Sequence, residues 1–308
     1  MTKEYKYIFG PVNSRRFGVS LGIDLSPFEK SCNFDCVYCE LKGAKPIDYI
    51  KNPPKVEDIV NEVKEALAKF KNINVITITS NGEPTLYKDL DKLVLGLNKI
   101  KQNKKLLILS NSSTVCDKKI ADILMDIDIV KLSLDCATQK CFKKIDRPLK
   151  GLSIDDIIKG IKTFSKRFKN ILVIEILLVK GINDNQEEIK RLNEVLNIIK
   201  PSRIDIGTID RPPAYNVKPT DEKEMIKLSN IFTNLVVSFI HKNPLLTKEN
   251  FSTKEILVLL KHRPQSQFDI NSFFNEDSKK KVMELLDQKL IEQKDIGGTV
   301  FYQLSSKR

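Results

Sequence analysis

The 308-residue chain contains only two histidines, His241 and His262, and neither sits in a paired-ligand pattern. It offers a single Cys-x-x-Cys pair, at Cys36 and Cys39. A closed structural zinc site normally takes four ligands, often as two short-spaced pairs, so this chain lacks the parts for one. No stretch approaches the roughly 18 uncharged apolar residues of a membrane span. The opening "MTKEYKYIFG" has no apolar export segment. The expectation is a cytoplasmic protein with no membrane partner. Its thiols stay reduced there, which excludes a disulfide framework.

Against this scarcity, "CNFDCVYCE" crowds three of the six cysteines into residues 32–40. Cys32, Cys36 and Cys39 follow a Cys-x3-Cys-x2-Cys spacing, with Tyr38 just before the last. A cubane [4Fe–4S] cluster usually takes four thiolates. A loop supplying three leaves one iron open for a small molecule, as catalytic zinc sites keep one position free.

The spacing and Tyr38 resemble the cluster motif of the radical S-adenosylmethionine (SAM) superfamily. The upstream "FGPVNSRRFGVSLGIDLSPFEKSCNFDCVYC" and the later "DRPPAY" are similar to a subgroup labelled Fe–S oxidoreductase. That subgroup is sometimes grouped with wyosine-type tRNA-modifying enzymes, which makes tRNA modification a lead. The resemblance spans roughly residues 6–220. It implies a [4Fe–4S] cluster on Cys32, Cys36 and Cys39, with SAM chelated at the open iron. It further implies a reductant such as flavodoxin or ferredoxin, and a 5′-deoxyadenosyl radical that abstracts a substrate hydrogen.

Periodicity supplies the fold independently. Six β-rich runs, "GVSLGIDL", "INVITITS", "KLLILS", "DIVKLSLD", "ILVIEILLV" and "RIDIGTI", alternate with helix candidates at 55–71, 87–103, 116–126, 153–168 and 184–199. In the first of these, Val56, Ile59, Val60, Val63, Leu67 and Phe70 share one face. Mostly apolar strands suit a parallel sheet covered by helices. The fold class is therefore α/β: a partial (β/α)6 barrel, residues 1–245, followed by a small winged-helix-like C-terminal domain, residues 246–308. Radical SAM domains have this barrel form.

Chemistry in β/α barrels gathers at the C-terminal ends of the strands. "TSNGEPTL" places Gly82, Glu83 and Pro84 there, resembling the Gly-Gly-Glu motif that holds the methionyl amino group, with Asn81 in place of the first glycine. The plain reading is an Asn-Gly turn. Asn111, in "LILSNSS", is polar where the barrel opens. Ser133 and Asp135 alternate with Leu132 and Leu134 and face one way. They suit ribose hydroxyls, as that strand does in the family, or Asp135 caps the next helix. Gly181 and Asn183 match the turn that borders adenine in the family, while the local reading is that Asn183 or Asp184 only caps the next helix. Glu175 lies inside an apolar strand and needs a partner such as an arginine or a ligand. Arg211 is read either as a ligand for a carboxylate or phosphate or as a solvated surface arginine, and Tyr215 as a stacking platform. Arg15 and Arg16 either bind an anion or pair with acidic residues. Cys116, Cys136 and Cys141 are read as buried small hydrophobes rather than a second cluster. Nothing marks a cobalamin domain.

The last 58 residues read as three helices, "FSTKEILVLLKHRP", "QFDINSFFN" and "EDSKKKVMELLDQKL", and a hairpin around Gly297-Gly298. That is a winged-helix layout. The chain carries +12 overall, yet residues 251–308 hold 10 Lys/Arg against 8 Asp/Glu, only +2. Duplex binding normally leaves a stronger basic footprint. The charge excess on the barrel suits an anionic substrate. Candidate substrates are an RNA or a peptide. Two other classes stay open: a maturase acting on a protein or peptide, and a non-catalytic Fe–S sensor with a DNA-binding winged helix.

Overall fold

The computed structural model describes residues 5–14, 16–239, 248–262, 264–296 and 299–305. Arg15, the expected boundary at 245/246 and the Gly297-Gly298 turn lie outside the described residues.

The six expected strands form and lie side by side in chain order. They are preceded by β1 (Ile8–Ser14), which the pattern did not announce. It runs antiparallel to β2 (Gly18–Asp24). From β2 the sheet is parallel through β3 (Val75–Thr79), β4 (Lys105–Ser110), β5 (Ile129–Ser133), β6 (Ile171–Leu178) and β7 (Arg203–Thr208) to a short β8 (Val237–Phe239). The connecting helices are α1 (Val56–Lys69), α2 (Leu90–Ile100), α3 (Lys118–Leu124), α4 (Gln139–Ile145), α5 (Ile154–Arg167), α6 (Gln186–Ile199) and α7 (Glu222–Ser229). Five match expected helices; α4 and α7 were not anticipated.

Side chains alternate across each strand, and the two faces differ in chemistry. Ile76, Ile78, Leu106, Ile108, Val130, Leu132, Leu172 and Ile174 face the helices and share the main core with Ile59 and Val63 of α1. On the other face Val75, Leu107, Ile129 and Val173 form a small apolar floor with Phe17. Farther along the same strands stand Thr77, Thr79, Lys131 and Glu175, which line a cavity of about 470 Å³. The barrel interior is thus floored by hydrocarbon at one end, and toward the ends where the strands deliver their loops Thr77, Thr79, Lys131 and Glu175 are mixed with Leu109, Leu177 and Ile209.

The C-terminal segment folds as α8 (Thr253–His262), β9 (Gln265–Ser266), α9 (Gln267–Phe273), α10 (Glu276–Asp287), β10 (Ile291–Ile296) and β11 (Thr299–Leu304). Its three strands are antiparallel, in the order β10-β11-β9. Phe251, Ile256, Leu259, Phe273, Phe274, Val282 and Leu285 make its core, and Val12 and Val19 of the barrel hairpin complete it. Lys69 of α1 pairs with Glu255 of α8 at 2.5 Å.

Candidate cluster and SAM site

The loop carrying the three cysteines leaves β2 and is tied on three sides. Ser31 N–H donates to the Asn81 carbonyl at 2.9 Å, and Glu83 N–H donates to the Ser31 carbonyl at 3.0 Å. Asp35 N–H reaches the Asp146 carbonyl at 3.0 Å, Val37 N–H the Ile145 carbonyl at 2.8 Å, and Leu149 N–H the Asn33 carbonyl at 2.8 Å. Ala214 N–H donates to the Cys39 carbonyl at 2.8 Å. The turn after β3, the end of α4 and the segment after β7, far apart in sequence, therefore hold the loop by its backbone, leaving the thiols to other work.

Cys32, Cys36 and Cys39 are free and half-buried. Burial pushes the Cys32 thiol up to about 12, against the lowering influence of the Phe34 N–H. Burial also raises Cys36 well above its ordinary value, with Asp146 adding to it, and raises Cys39 despite Lys30. Thiolates held in such surroundings need bound positive charge, which a metal supplies. Among the described residues, the ligand-type trio within 4.8 Å of one another is Cys136, Cys141 and Glu188. The loop thiols are spread wider than ligands converging on one ion, and their soft donor set suits iron–sulfur. The residues present fit a multi-iron cluster.

Tyr38 links this loop to the next strand end. Its hydroxyl donates to Asp135 Oδ2 at 2.5 Å, and Leu177 N–H donates to Asp135 Oδ1 at 2.7 Å. Burial carries the Asp135 carboxyl to about 7 even so. Thr138, not Asp135, caps α4. Ser133 and Asp135 line a small niche of about 10 Å³ together with Tyr38 and Asn111. Asn111 also points its amide at Cys32 Sγ (3.7 Å) and Asn33 Oδ1 (2.9 Å).

Gly82 and Pro84 frame a single 3-10 turn, Pro84–Leu86, capped by Glu83. The Glu83 carboxylate is 1% exposed. It accepts from Thr85 N–H (3.0 Å), Thr85 Oγ1 (2.6 Å) and Asn111 N–H (2.6 Å). Burial outweighs these donors and raises its carboxyl. Asn183 is fully buried; its amide donates to the Asp135 and Leu177 carbonyls and its oxygen accepts the Val179 N–H. Asn185, rather than Asn183 or Asp184, caps α6. Gly181 takes a positive φ of 73°, and its N–H donates to Asp184.

Several side chains depart from expectation. Arg211 is not solvated: it reaches Glu40 at 3.4 Å and the Pro264 carbonyl at 2.8 Å. The Tyr215 ring is covered by Arg147 at 4.2 Å and its hydroxyl bonds Asp35, which leaves it a brace for the loop. Glu175 finds a lysine, Lys131, at 2.5 Å rather than an arginine, and Arg16 pairs with buried Asp205 at 2.5 Å inside the barrel. Cys136 and Cys141 are buried as expected but joined in a disulfide: Cys141 N–H donates to the Thr138 hydroxyl that caps α4, and the two Cα atoms are 5.7 Å apart. Cys116 is exposed, not buried. Glu188 already accepts the Ala137 and Thr138 N–H groups (2.6 and 2.9 Å) and the Thr138 hydroxyl (2.9 Å), so it serves as a cap. The sequence reading missed Asn33, Thr85, Lys131, Asp146 and Ala214. Of these only Asp146, in "IDRP", carried a local signal: it is a carboxylate amid lysines and arginine.

A sequence model described as the radical SAM superfamily matches residues 27–192. The chain belongs to that superfamily. It is a radical SAM enzyme, and its cofactors are SAM and a [4Fe–4S] cluster. A Helicobacter pylori (strain J99) relative, "UPF0026 protein", is 39% identical over 298 residues, 96% of each chain. Among solved structures, Streptococcus suis SuiB aligns with a TM-score of 0.55 at 20% identity, covering 71% of this chain and 48% of that one. TYW1 with a lysine-pyruvate adduct aligns with a TM-score of 0.50 at 18% identity, covering 74% and 76%. Both likenesses are of fold. No helix among the described residues is long and apolar enough to cross a membrane.

Proposed function

We propose that Cys32, Cys36 and Cys39 hold three irons of the cluster and that the barrel above the apolar floor receives SAM and part of a substrate. The observation that carries this reading is the Ser31–Gly82 bridge, which sets the thiol loop directly beside the strand end expected to hold methionine. When bound, the cluster supplies one electron for the reductive cleavage of SAM, yielding methionine and a 5′-deoxyadenosyl radical that abstracts a hydrogen.

The chain's own residues bind, orient and exclude water. Gly82 lets the two backbones meet, Glu83 holds the Thr85 turn and Asn111 and offers its charge toward the SAM ammonium, and Pro84 stiffens that turn. Asp135 and Ser133 face the ribose, with Tyr38 fixing the aspartate. Asn183 and Gly181 shape the adenine side. Asn111 orients Cys32. The cavity of about 470 Å³ is lined by Tyr38, Cys39, Asn81, Lys131 and Glu175, while Glu83, Asn111, Ser133, Asp135 and Asn183 lie outside its lining; its size suits a small reacting group rather than a whole macromolecule. The substrate we propose is an RNA nucleotide or, as the alternative reading, a peptide residue presented at the opening. The unit over residues 246–308, read as winged-helix-like from its helix and strand order, then serves to hold the rest of that substrate, with 1–245 as the catalytic unit. A cytoplasmic setting supplies the reductant.

The test is anaerobic reconstitution followed by reduction in the presence of SAM. About four irons per chain and release of 5′-deoxyadenosine are expected. Protein that holds iron on other residues, or holds it and leaves SAM intact, would sink the assignment.

A further inference from the structure

Lys131 and Glu175 point inward from the sheet, and neither the thiol loop nor the expected SAM contacts use them. Each stands one step above the apolar floor on its own strand. Lys131 follows Ile129 by two residues in β5, and Glu175 follows Val173 by two in β6. Lys131 Nζ donates to Glu175 Oε1 at 2.5 Å, and both residues line the cavity. Glu175 also registers beside Ser133 on one neighbouring strand and Asp205 on the other. Two carboxylates abreast on adjacent strands repel, and cations offset this. Arg16 holds Asp205 at 2.5 Å, Arg203 at 2.7 Å and Lys131 at 3.4 Å. Asp205 is fully enclosed by these partners, while the Glu175 side chain is 35% exposed.

The hydrogen-bonding capacity left over faces the cavity. An ammonium has three N–H donors. Glu175 and Asp205 occupy two of those on Lys131, and one remains. Glu175 gives Oε1 to Lys131, and no described residue bonds its Oε2. The other charged side chains of the cavity are engaged. Arg16 holds Asp205 and the Ile206 carbonyl, Arg211 holds Glu40 and Asp210, and Asp24 accepts the Ser26 and Asn81 N–H groups. The wall thus presents one donor beside one acceptor. A bare carboxylate or phosphate drawn to Lys131 would meet the Glu175 charge, and an ammonium drawn to Glu175 would meet Lys131. The group that suits the pair is neutral and carries an acceptor next to a donor. Phe9, Phe17 and Tyr38 line the same cavity, aromatic surfaces that suit a flat ring. Burial is the main cause that lifts the Asp135 carboxyl to about 7, and the Glu175 charge adds to it. The pair therefore lies within electrostatic reach of the strand end assigned to the ribose.

We propose that Lys131 and Glu175 recognise the lactam edge of a substrate nucleobase, uracil or guanine, with Lys131 Nζ donating to the ring carbonyl and Glu175 Oε2 accepting the neighbouring ring N–H. The inference rests on the reading that this cavity receives the reacting part of the substrate, and it deepens the nucleotide side of that reading. Unstacked bases are commonly held in this way, by their hydrogen-bonding edge and by aromatic side chains. A lactam N–H is more acidic than the exocyclic amine of cytosine or adenine, so a carboxylate acceptor favours it. The pair makes and breaks no covalent bond; it positions the base.

The experiment is calorimetric titration of full-length reconstituted protein, with SAM present. The probes are uridine and guanosine, and N3-methyluridine and N1-methylguanosine, in which a methyl group replaces the ring N–H. Uridine or guanosine should bind, and its methylated counterpart should bind about tenfold or more weakly. Lys131→Met/Glu175→Leu removes both charges together, so that neither is left buried alone. It should weaken nucleoside binding about tenfold or more, at wild-type iron content and SAM affinity. Glu175→Gln keeps the shape and should lose most of the discrimination against the methyl group while retaining part of the affinity. No binding of either nucleoside, equal binding of the methylated forms, or wild-type binding by Lys131→Met/Glu175→Leu overturns the proposal and leaves the cluster reading intact. So does a short peptide that binds where neither nucleoside does and is lost in the double variant. Wild-type protein that holds no iron or leaves SAM intact overturns the cluster reading itself, and the proposal with it.

Discussion

The backbones of Gly82 and Ser31 approach so closely that a Cβ at position 82 would lie 1.7 Å from the Ser31 carbonyl oxygen. Gly82 also has a φ of +149°, which side-chain-bearing residues rarely adopt. Gly82→Ala must therefore part the two segments. The expected cost is about 1–3 kcal/mol of stability, with a lower iron content after reconstitution. Thermal unfolding and iron assay check both, and wild-type values in each would remove the bridge from the argument.

Replacing Cys32, Cys36 and Cys39 together by alanine should take iron from about four per chain to none. Cys136→Ser/Cys141→Ser should leave it unchanged, since those sulfurs are joined to each other. A loss of about half the iron in the second variant would instead establish another cluster there.

Glu83→Gln keeps the shape but removes the charge and turns one acceptor into a donor facing the Thr85 or Asn111 N–H. SAM affinity should fall about tenfold or more, the value of a charged hydrogen bond, while the cluster remains. Calorimetric titration of SAM decides it, and an unchanged affinity would leave Glu83 only the capping role seen in its own turn.

Asp128 provides a pH signature away from the site. Burial alone would raise its carboxyl, but the Leu106 N–H (2.7 Å) and the Lys101 ammonium (2.5 Å) hold it below the ordinary range. The folded state thus binds this proton less readily than the unfolded chain. Its stabilisation is present above the ordinary carboxylate value and is lost as the pH falls through the lowered one. Asp128→Asn should cost about 1 kcal/mol at neutral pH, a modest figure because the pair is partly screened by solvent. The difference should vanish under strongly acidic conditions in denaturant titrations, and a pH-independent gap would contradict the assignment.

Ending the chain near residue 245 removes none of the cysteines and none of the strand-end candidates. It does uncover Val12 and Val19, which the C-terminal core covers. The shortened protein should keep its iron and still cleave SAM slowly, with a lower melting temperature and no response to substrate-containing extract. A soluble, folded truncation that cannot cleave SAM would place part of the active site in the C-terminal segment.

Strands β2 to β7 and the longer helices were legible because aliphatic side chains recur along them, driven by the burial of one face against helices. β1 escaped because Gly10 and Pro11 interrupt it and its pairing is antiparallel to β2. β8 is three residues long, and α4 is seven, with its cations on the outside. At the site the thiols were legible because one loop supplies all three. Asn33 and Ala214 were not, because each matters only through a bond to a residue tens of positions away or more. The solvated reading of Arg211 fails for the same reason: its partners, Glu40 and Pro264, lie far from it along the chain.

That arginine has a thermodynamic consequence. Glu40 immediately follows Cys39, and Pro264 immediately precedes β9, so one guanidinium spans the thiol loop and the C-terminal unit. Any displacement of the C-terminal unit from this position lengthens a contact whose other end sits one residue from Cys39. Linkage makes the effect mutual: whatever fixes the thiol loop also biases where the C-terminal unit rests.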